Sequence, residues 1–412
     1  MRILIVTQYF WPEPFRINDL AVELRERGHA VAVLTGMPNY PGGRLYPGYG
    51  VFRPGRESWR GVTVLRVPLI PRGANRGWRL ALNYLSFMFS ASLLGPLRCR
   101  GGVDLVFVYE PSPVSVGIPG WWLGLLKKAP LMMWIQDLWP ETLRAVGIRS
   151  RTALWAAAAL SRFIHRRCDR ILVQSKAFVA PLLSQGVAAP AIDYLPNWAE
   201  DFYRPLEKTA ASADPIPQAA GFRVLFAGNI GGAQSFETVV DAASRLADFP
   251  DIHWIVIGDG HRREWLETEL RRRRLESRFH LTGWQPAEKM PVYFSFADAL
   301  LVTLRADPVF ALTIPSKIQS YLACGKPLIG SLDGAGADVI KEAGAGIVGP
   351  AEDAAALADA VLAVYRMNPA QRAQLGNSGR AYYDAHFRRA DLIRRIEERM
   401  RGMVDEHRRN HG

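Results

Sequence analysis

In the segment LRADPVFALTIPSKIQSYLACGKPLIG, Pro315 and Ser316 read as a helix start that sets Lys317 in the first turn, beside the positive end of a helix dipole. A bound diphosphate would neutralise both charges. Arg305, one strand end away, is expected to join the clamp, whereas the alternative makes Lys317 a solvated surface lysine. FAGNIGGAQSFE puts Gly228, Gly231 and Gly232 directly after a strand and before a helix, where glycines let backbone amides close on a phosphate. IGDG, with Gly258, Asp259 and Gly260, repeats the arrangement. Glycine-rich strand ends are common in α/β folds, so each match singly is weak. The chemistry these groups suit is departure of a diphosphate whose growing charge is met by fixed donors. No DxD-type carboxylate pair follows a strand and no His/Asp cluster has metal-ligand spacing, so the clamp is expected to work with neither a metal nor a cofactor.

Acids that suit an alcohol lie in the first half. WIQDLWPE ends a strand with Gln136, Asp137 and Glu141 among tryptophans, and a carboxylate beside aromatic rings can position a sugar hydroxyl. Asp137 is read as the group that orients or deprotonates it, against the alternative of a helix cap. The first strand leads into TQYFWPEPFRINDLAVEL, where Pro12 and Pro14 shape a loop and Glu13, Arg16 and Asn18 follow. They are either acceptor contacts or caps and solvated positions of the next helix, with Asn18 or Asp19 as its cap.

Strands alternate with helices throughout, which argues for parallel sheets covered on both faces. Strands are predicted at 3–6, 30–35, 62–67, 104–109, 131–135 and 170–174, then at 222–228, 252–258, 279–283, 299–303, 327–331 and 346–349. Small residues and prolines without periodicity fill the stretch between the two series. The expected organisation is a first α/β domain over 1–200, a linker over 201–221, a second α/β domain over 222–385 and an amphipathic basic helix over 386–412. Leu392, Ile396, Met400 and Val404 recur every four residues as its packing stripe. Both domains are doubly wound and Rossmann-like, and such folds bind ligands beyond the carboxyl ends of their strands, here in a cleft the two domains face across.

The chain has 412 residues, 49% hydrophobic content and net charge +12, a surplus that suits a polyanionic partner. The arrangement favours an anionic membrane surface over nucleic acid, because the aromatics accompany apolar runs. The apolar stretch 80–97 is flanked by Arg79, Arg98 and Arg100, and three readings fit it: a membrane span, an interfacial helix or a buried helix of the core. WWLGLLKK, from Trp121 and Trp122 to Lys128, strengthens the interfacial one. Nine of the twelve tryptophans precede residue 200, which makes the first half the membrane-facing half. Three separated cysteines, Cys99, Cys168 and Cys324, indicate neither a disulfide framework nor a zinc site. MRILIVTQYF enters a strand without the order of a secretory signal, so a cytoplasmic location, peripherally attached to the inner face of the cell membrane, is expected.

Taken together, MRILIVTQYFWPEPFR, IQDLWPE, LPNW, AGNIG, IGDG and TIPSKIQSYLACGKPLI resemble the retaining glycosyltransferases of the GT-B fold known as group 1 or family 4. The likeness covers nearly the whole chain and lies in the branch of colanic-acid and O-antigen transferases that includes N-acetyl-L-fucosamine transferases. It implies transfer of a sugar from a nucleoside-diphosphate donor, UDP above all, to a polyprenyl-diphosphate-linked saccharide. Asp137, Lys317 and Arg305 would carry the chemistry. Gly228, Asn229, Gly258, Asp259, Gly260, Gly283, Trp284, Thr313, Ser316, Lys317, Gln319 and Ser320 would hold the donor, and Glu13, Arg16, Asn18, Gln136, Asp137 and Glu141 the acceptor. The chain departs from the pattern in three places. Asn229 and Gln234 stand where many relatives have an arginine and a lysine, and Leu312 and Ser320 where they have two glutamates, the second on the ribose. Gln319 or Ser320 is the expected substitute for that glutamate. Gln136 replaces a histidine. A catalytically silent, membrane-docked sugar-nucleotide binder would share these features. A nicotinamide oxidoreductase is disfavoured because no strand leads into a full GxGxxG with an acid about twenty residues on.

Overall fold

Every predicted strand forms in the computed structural model, which describes residues 1–50, 55–73, 77–145, 147–207, 219 and 221–411. The first sheet contains β1 (Arg2–Val6), β2 (Ala30–Gly36), β3 (Arg56–Trp59), β4 (Val62–Val67), β5 (Leu105–Glu110), β6 (Leu131–Ile135), β7 (Arg170–Val173) and β8 (Ile192–Tyr194). Its order is β3-β4-β2-β1-β5-β6-β7-β8, parallel except for the β3–β4 pair. The second sheet contains β9 (Phe222–Ala227), β10 (Ile252–Ile257), β11 (Phe279–Gly283), β12 (Ala299–Thr303), β13 (Leu328–Ser331) and β14 (Gly346–Gly349), in the order β11-β10-β9-β12-β13-β14. β5 and β6 are buried along their whole length, as near-continuous apolar runs in parallel sheets should be. In each sheet the winding reverses beside the first strand, between β1 and β5 and between β9 and β12, and ligands bind beyond the carboxyl ends at such points.

Contacts divide the chain into a first unit, Met1–Leu195 with Ile393–Gly412, and a second, Pro196–Leu392. The boundary thus falls a few residues before the expected 200. Residues 208–218 and 220 of the expected linker lie outside the described residues. The last helix, Arg389–His411, buries Leu392, Ile396, Met400 and Val404, with Ile393 and Met403 completing the stripe. It is not an appendage. From Ile393 onward it belongs to the first unit, where Glu397 meets His29 at 2.9 Å and Arg27 at 3.3 Å, and Arg408 meets Asp104 at 3.1 Å.

The helices that matter below are α1 (Arg16–Glu26), α2 (Gly77–Arg98), α3 (Gly117–Lys127), α4 (Glu141–Ala145) and α5 (Arg151–His165). α2 is long and apolar enough to cross a membrane. It packs one face on β2 and β4 through Asn83, Phe87, Ala91 and Gly95, spaced four apart, and is therefore not a wholly buried core helix, much of the rest of its surface being exposed. Its other face is apolar and exposed: Phe89 is 66% and Leu93 74% accessible. Asn83 is accommodated inside by Gln8, whose Nε2 donates to its Oδ1 at 2.6 Å, and by donating to the Ile70 carbonyl at 2.7 Å.

Candidate functional site

In the second unit the turns after β9, β10, β11 and β12 are laced by main-chain hydrogen bonds. Gly228 donates to Ile257, Ile230 to Asp259, Gly258 to Gly283 and Arg305 to Ala233, all at 2.8–2.9 Å. Two glycines permit the approach. Gly258 has φ of 141° and a Cβ there would lie 1.9 Å from the Gly228 oxygen, while Gly228 has φ of 145°. The helix Ser316–Ala323 is tied to the same strand end, because Tyr321 Oη accepts from Ala227 N at 2.9 Å. Its N-cap is Pro315, which offers no side-chain acceptor; Ile318 N turns back to the Pro315 carbonyl at 2.9 Å, and no side chain caps the helix start.

Lys317 projects from that turn toward Gly228. Its Nζ lies 3.7 Å from the Phe226 ring centre and 3.2 Å from where a Gly228 Cβ would stand. The Nζ is buried without a hydrogen-bond partner, and burial lowers its pKa to about 7. An unpartnered buried ammonium is costly, and an anion at the uncapped helix start would supply the missing acceptor.

The other expected donor residues divide. Asn229, Asp259, Ser316 and Trp284 are exposed at the strand ends, Trp284 by 72% just after Gly283, and Gly260 is packed against Ile230. Arg305 reaches the β9 turn only by its backbone, for its side chain pairs with Glu352 at 3.5 Å. Thr313 spends its hydroxyl on the Val309 carbonyl at 3.1 Å. Gln319, expected as a ribose contact, is buried, with an amide nitrogen that donates to the Ser316 and Pro315 carbonyls at 3.0 and 3.1 Å. Ser320 donates to Ser316 at 3.4 Å. Neither side chain is presented to a ligand, because the helix's own carbonyls occupy both.

In the first unit Glu13 and Asn18 turn out to be loop staples. The buried Glu13 carboxylate accepts from Asn39 N at 2.8 Å, Tyr40 N at 2.7 Å and Phe10 N at 3.3 Å, and burial raises its pKa to about 7. Asn18 accepts from Trp11 N at 3.0 Å and donates to the Glu13 carbonyl at 2.7 Å. α1 already begins at Arg16 with Phe15 as N-cap, so Asn18 and Asp19 lie within the helix and not at its cap position. Arg16 is half-buried and near enough to Tyr109 for its charge to favour the phenolate of that buried residue.

Asp137 follows β6, and at the matching end of β5 stands Glu110, a residue sequence reasoning missed. Gln136 N donates to the Glu110 carbonyl at 2.9 Å, which fixes the two strand ends side by side. Burial raises the Asp137 pKa to about 7. Burial, and after it the Asp137 charge, raises Glu110 well above the usual carboxylate range. Both Glu110 oxygens are buried without a well-formed hydrogen bond, and Asp137 N–H only biases the acid toward ionisation. Tyr84 senses the Asp137 charge, and its ring lies 6.2 Å from that of Trp139. Glu141 opens α4 with one oxygen buried and unpartnered. Two desolvated carboxyls on adjacent strand ends, with Asp137 at about 7 and Glu110 held toward its neutral form, suit a site that handles a hydroxyl proton. Among the described residues no group of three His, Cys, Asp or Glu side chains is placed to hold a metal ion.

Residues 15–198 match the glycosyl transferase 4-like domain and residues 221–367 the glycosyl transferases group 1 domain. A putative colanic acid biosynthesis glycosyl transferase of Escherichia coli K12 is 27% identical over 340 residues, 79% of this chain and 82% of that protein. A 2-deoxystreptamine N-acetyl-D-glucosaminyltransferase of Streptomyces fradiae is 25% identical over 391 residues, 87% of this chain and 86% of its own. Among solved structures, HepE of Anabaena in complex with UDP aligns with a TM-score of 0.72 at 15% identity, covering 98% of this chain and all (100%) of that one. Sucrose-phosphate synthase of Thermosynechococcus elongatus aligns at 0.73 and 19% identity, with 98% and 100% covered. These likenesses show the fold.

Proposed function

The chain belongs to the group 1 glycosyltransferases with the GT-B fold, and from that membership we propose that it moves a sugar from a UDP-linked donor to a hydroxyl of a polyprenyl-diphosphate-linked saccharide. The transfer retains the configuration at the anomeric carbon and uses no metal. The product is a growing surface polysaccharide, an O-antigen, capsule or exopolysaccharide, and the sugar is of the N-acetyl-fucosamine kind.

One observation carries the reading: the buried, unpartnered Nζ of Lys317 at the uncapped start of its helix, over the Gly228 turn. As the bond between the anomeric carbon and the diphosphate breaks, the charge on the departing oxygen is met by that ammonium and the first-turn amides, groups already in place before the reaction. Trp284 offers an exposed ring at the same strand ends for the base. In the first unit Asp137 orients the acceptor hydroxyl and takes its proton. The nucleotide is read from the UDP bound in HepE, and the pathway from the colanic acid relative. The reading also has the protein attached peripherally to the inner face of the cell membrane, supported by the outward apolar face of α2.

The test is incubation with labelled UDP-sugars, N-acetylated deoxy sugars first, and a short polyprenyl-diphosphate saccharide, with and without chelator. Transfer that survives chelation, with the anomeric configuration kept in the product's NMR spectrum, supports it. Binding of UDP without transfer to any such acceptor would leave only the donor half standing.

A further inference from the structure

A cavity of about 710 Å³ lies in the first unit at the amino ends of β1, β2 and β4, the edge of the sheet opposite Asp137 and Glu110. Its walls carry Arg2, Arg25, Arg56, Arg98, Arg100 and His29, and its described lining has no aspartate or glutamate. Arg2 pairs with Asp104 at 3.6 Å, His29 meets Glu397 at 2.9 Å, and Arg100 Nε donates to the Leu97 carbonyl at 3.2 Å. Arg98 is different. Its Nη1 is buried without a hydrogen-bond partner and sits where a Cβ on Gly55 would be, 1.7 Å from that position.

Arg98 ends α2, and the outer face of α2 leads away from the cavity as an apolar stripe. Leu97, Leu93, Phe89, Leu85, Leu82 and Trp78 are all exposed, between 39% and 74%. Leu97 also lines the cavity. One helical turn on, Leu93 and Phe89 line a second groove of about 390 Å³ with Ile70 on its far side and no charged residue in its described lining. α2 itself contains no acidic residue. A cationic cavity followed along the same helix face by an apolar groove has the polarity of a molecule with a phosphate head and a hydrocarbon tail.

We propose that this is a binding site for an anionic membrane phospholipid, with its phosphate on Arg98, Arg56 and Arg100 and an acyl chain along Leu97, Leu93 and Phe89. The inference rests on the peripheral membrane reading above and makes it specific. Attachment comes from a lipid phosphate seated in a defined cavity, with the chain covering the stripe, in addition to general attraction between a basic surface and an acidic bilayer. None of these residues belongs to the transfer site, so the surface holds the enzyme on the bilayer without touching the chemistry.

The experiment is co-sedimentation of the full chain with phosphatidylcholine vesicles, with and without phosphatidylglycerol. Wild-type protein should sediment with the acidic vesicles. Arg98→Ala with Arg100→Ala should weaken that roughly tenfold or more, and Leu93→Ser with Leu97→Ser should do the same although every arginine remains. UDP binding and melting temperature should stay unchanged in both variants, which shows that they fold. Inorganic phosphate at the same phosphate concentration should not displace the protein, whereas displacement would identify a site for free phosphate and overturn the lipid assignment. Sedimentation kept in both variants, or lost equally with Arg271→Ala in the second unit, would overturn the cavity while leaving membrane attachment intact. Failure to bind either vesicle would overturn both.

Discussion

Lys317 holds its Nζ 3.7 Å from the centre of the Phe226 ring and has no hydrogen-bond acceptor, so the aromatic face is the main stabilising contact of a buried cation. That is a costly arrangement in the unliganded protein, and its cost is itself measurable. Because burial lowers the pKa of Lys317 from 10.5 to about 7, the unfolded chain binds a proton that the folded chain lacks between those values. Stability contributed at this position therefore rises with pH across that window, and the full penalty is present below pH 7. Lys317→Met should raise the melting temperature of the unliganded protein, most at pH 6 and least near pH 10, while cutting turnover about a hundredfold. A lower melting temperature at pH 6 would mean that the ammonium is already paired.

Gly258 should tolerate no side chain. Its φ of 141° and the 1.9 Å separation of a Cβ from the Gly228 oxygen set two penalties on alanine. Gly258→Ala should destabilise the second unit by roughly 3 kcal/mol or more, and titration with UDP should show no binding even where the unit remains folded. Retained affinity would separate the glycine turns from the phosphate.

Asp137 should set the acid limb of the pH–rate profile. Its carboxyl, raised to about 7 by burial, must be ionised to accept a proton, so kcat/KM should climb through pH 7 and level off above it. Asp137→Asn should abolish that limb and lower kcat while leaving the affinity for UDP unaltered. Burial, and after it the Asp137 charge, pushes Glu110 toward its neutral form. Glu110→Gln should accordingly keep the limb near pH 7, and a shift of more than about a unit would show that Glu110 is charged there.

Glu13 should matter for stability and not for substrate. Glu13→Ala leaves three backbone N–H groups, of Phe10, Asn39 and Tyr40, without their acceptor, at a cost of about 3 kcal/mol. Thermal unfolding should register it, and the KM for acceptor in the folded fraction should be unchanged. An acceptor KM that rises without loss of stability would restore Glu13 to the binding site.

What was legible in the sequence was local. Pro315–Ser316–Lys317 announced a cation in a helix start within three residues, and the apolar runs announced every central strand. What was hidden depended on distance along the chain. Glu13 reads as a loop acid until Asn39 and Tyr40, on the far side of β2, bring their amides to it. Glu110 is hidden because the apolar run in DLVFVY ends at Tyr109, while the strand continues one residue further, to the buried acid. β3, an edge strand of alternating exposure with charges on it, has no apolar run to betray it. In α2 both faces are apolar, and composition could not tell that the side with Asn83, Ala91 and Gly95 packs inward while the leucine side faces out.

The most direct test of the account is calorimetric titration of UDP into wild-type protein and Lys317→Met from pH 6 to pH 9. If a diphosphate completes the buried ammonium, wild-type affinity should hold steady below pH 7 and fall as pH rises beyond it, with proton uptake visible as buffer-dependent heat, and the variant should bind at least tenfold more weakly with no pH trend. Equal affinity for wild type and variant at every pH would contradict it.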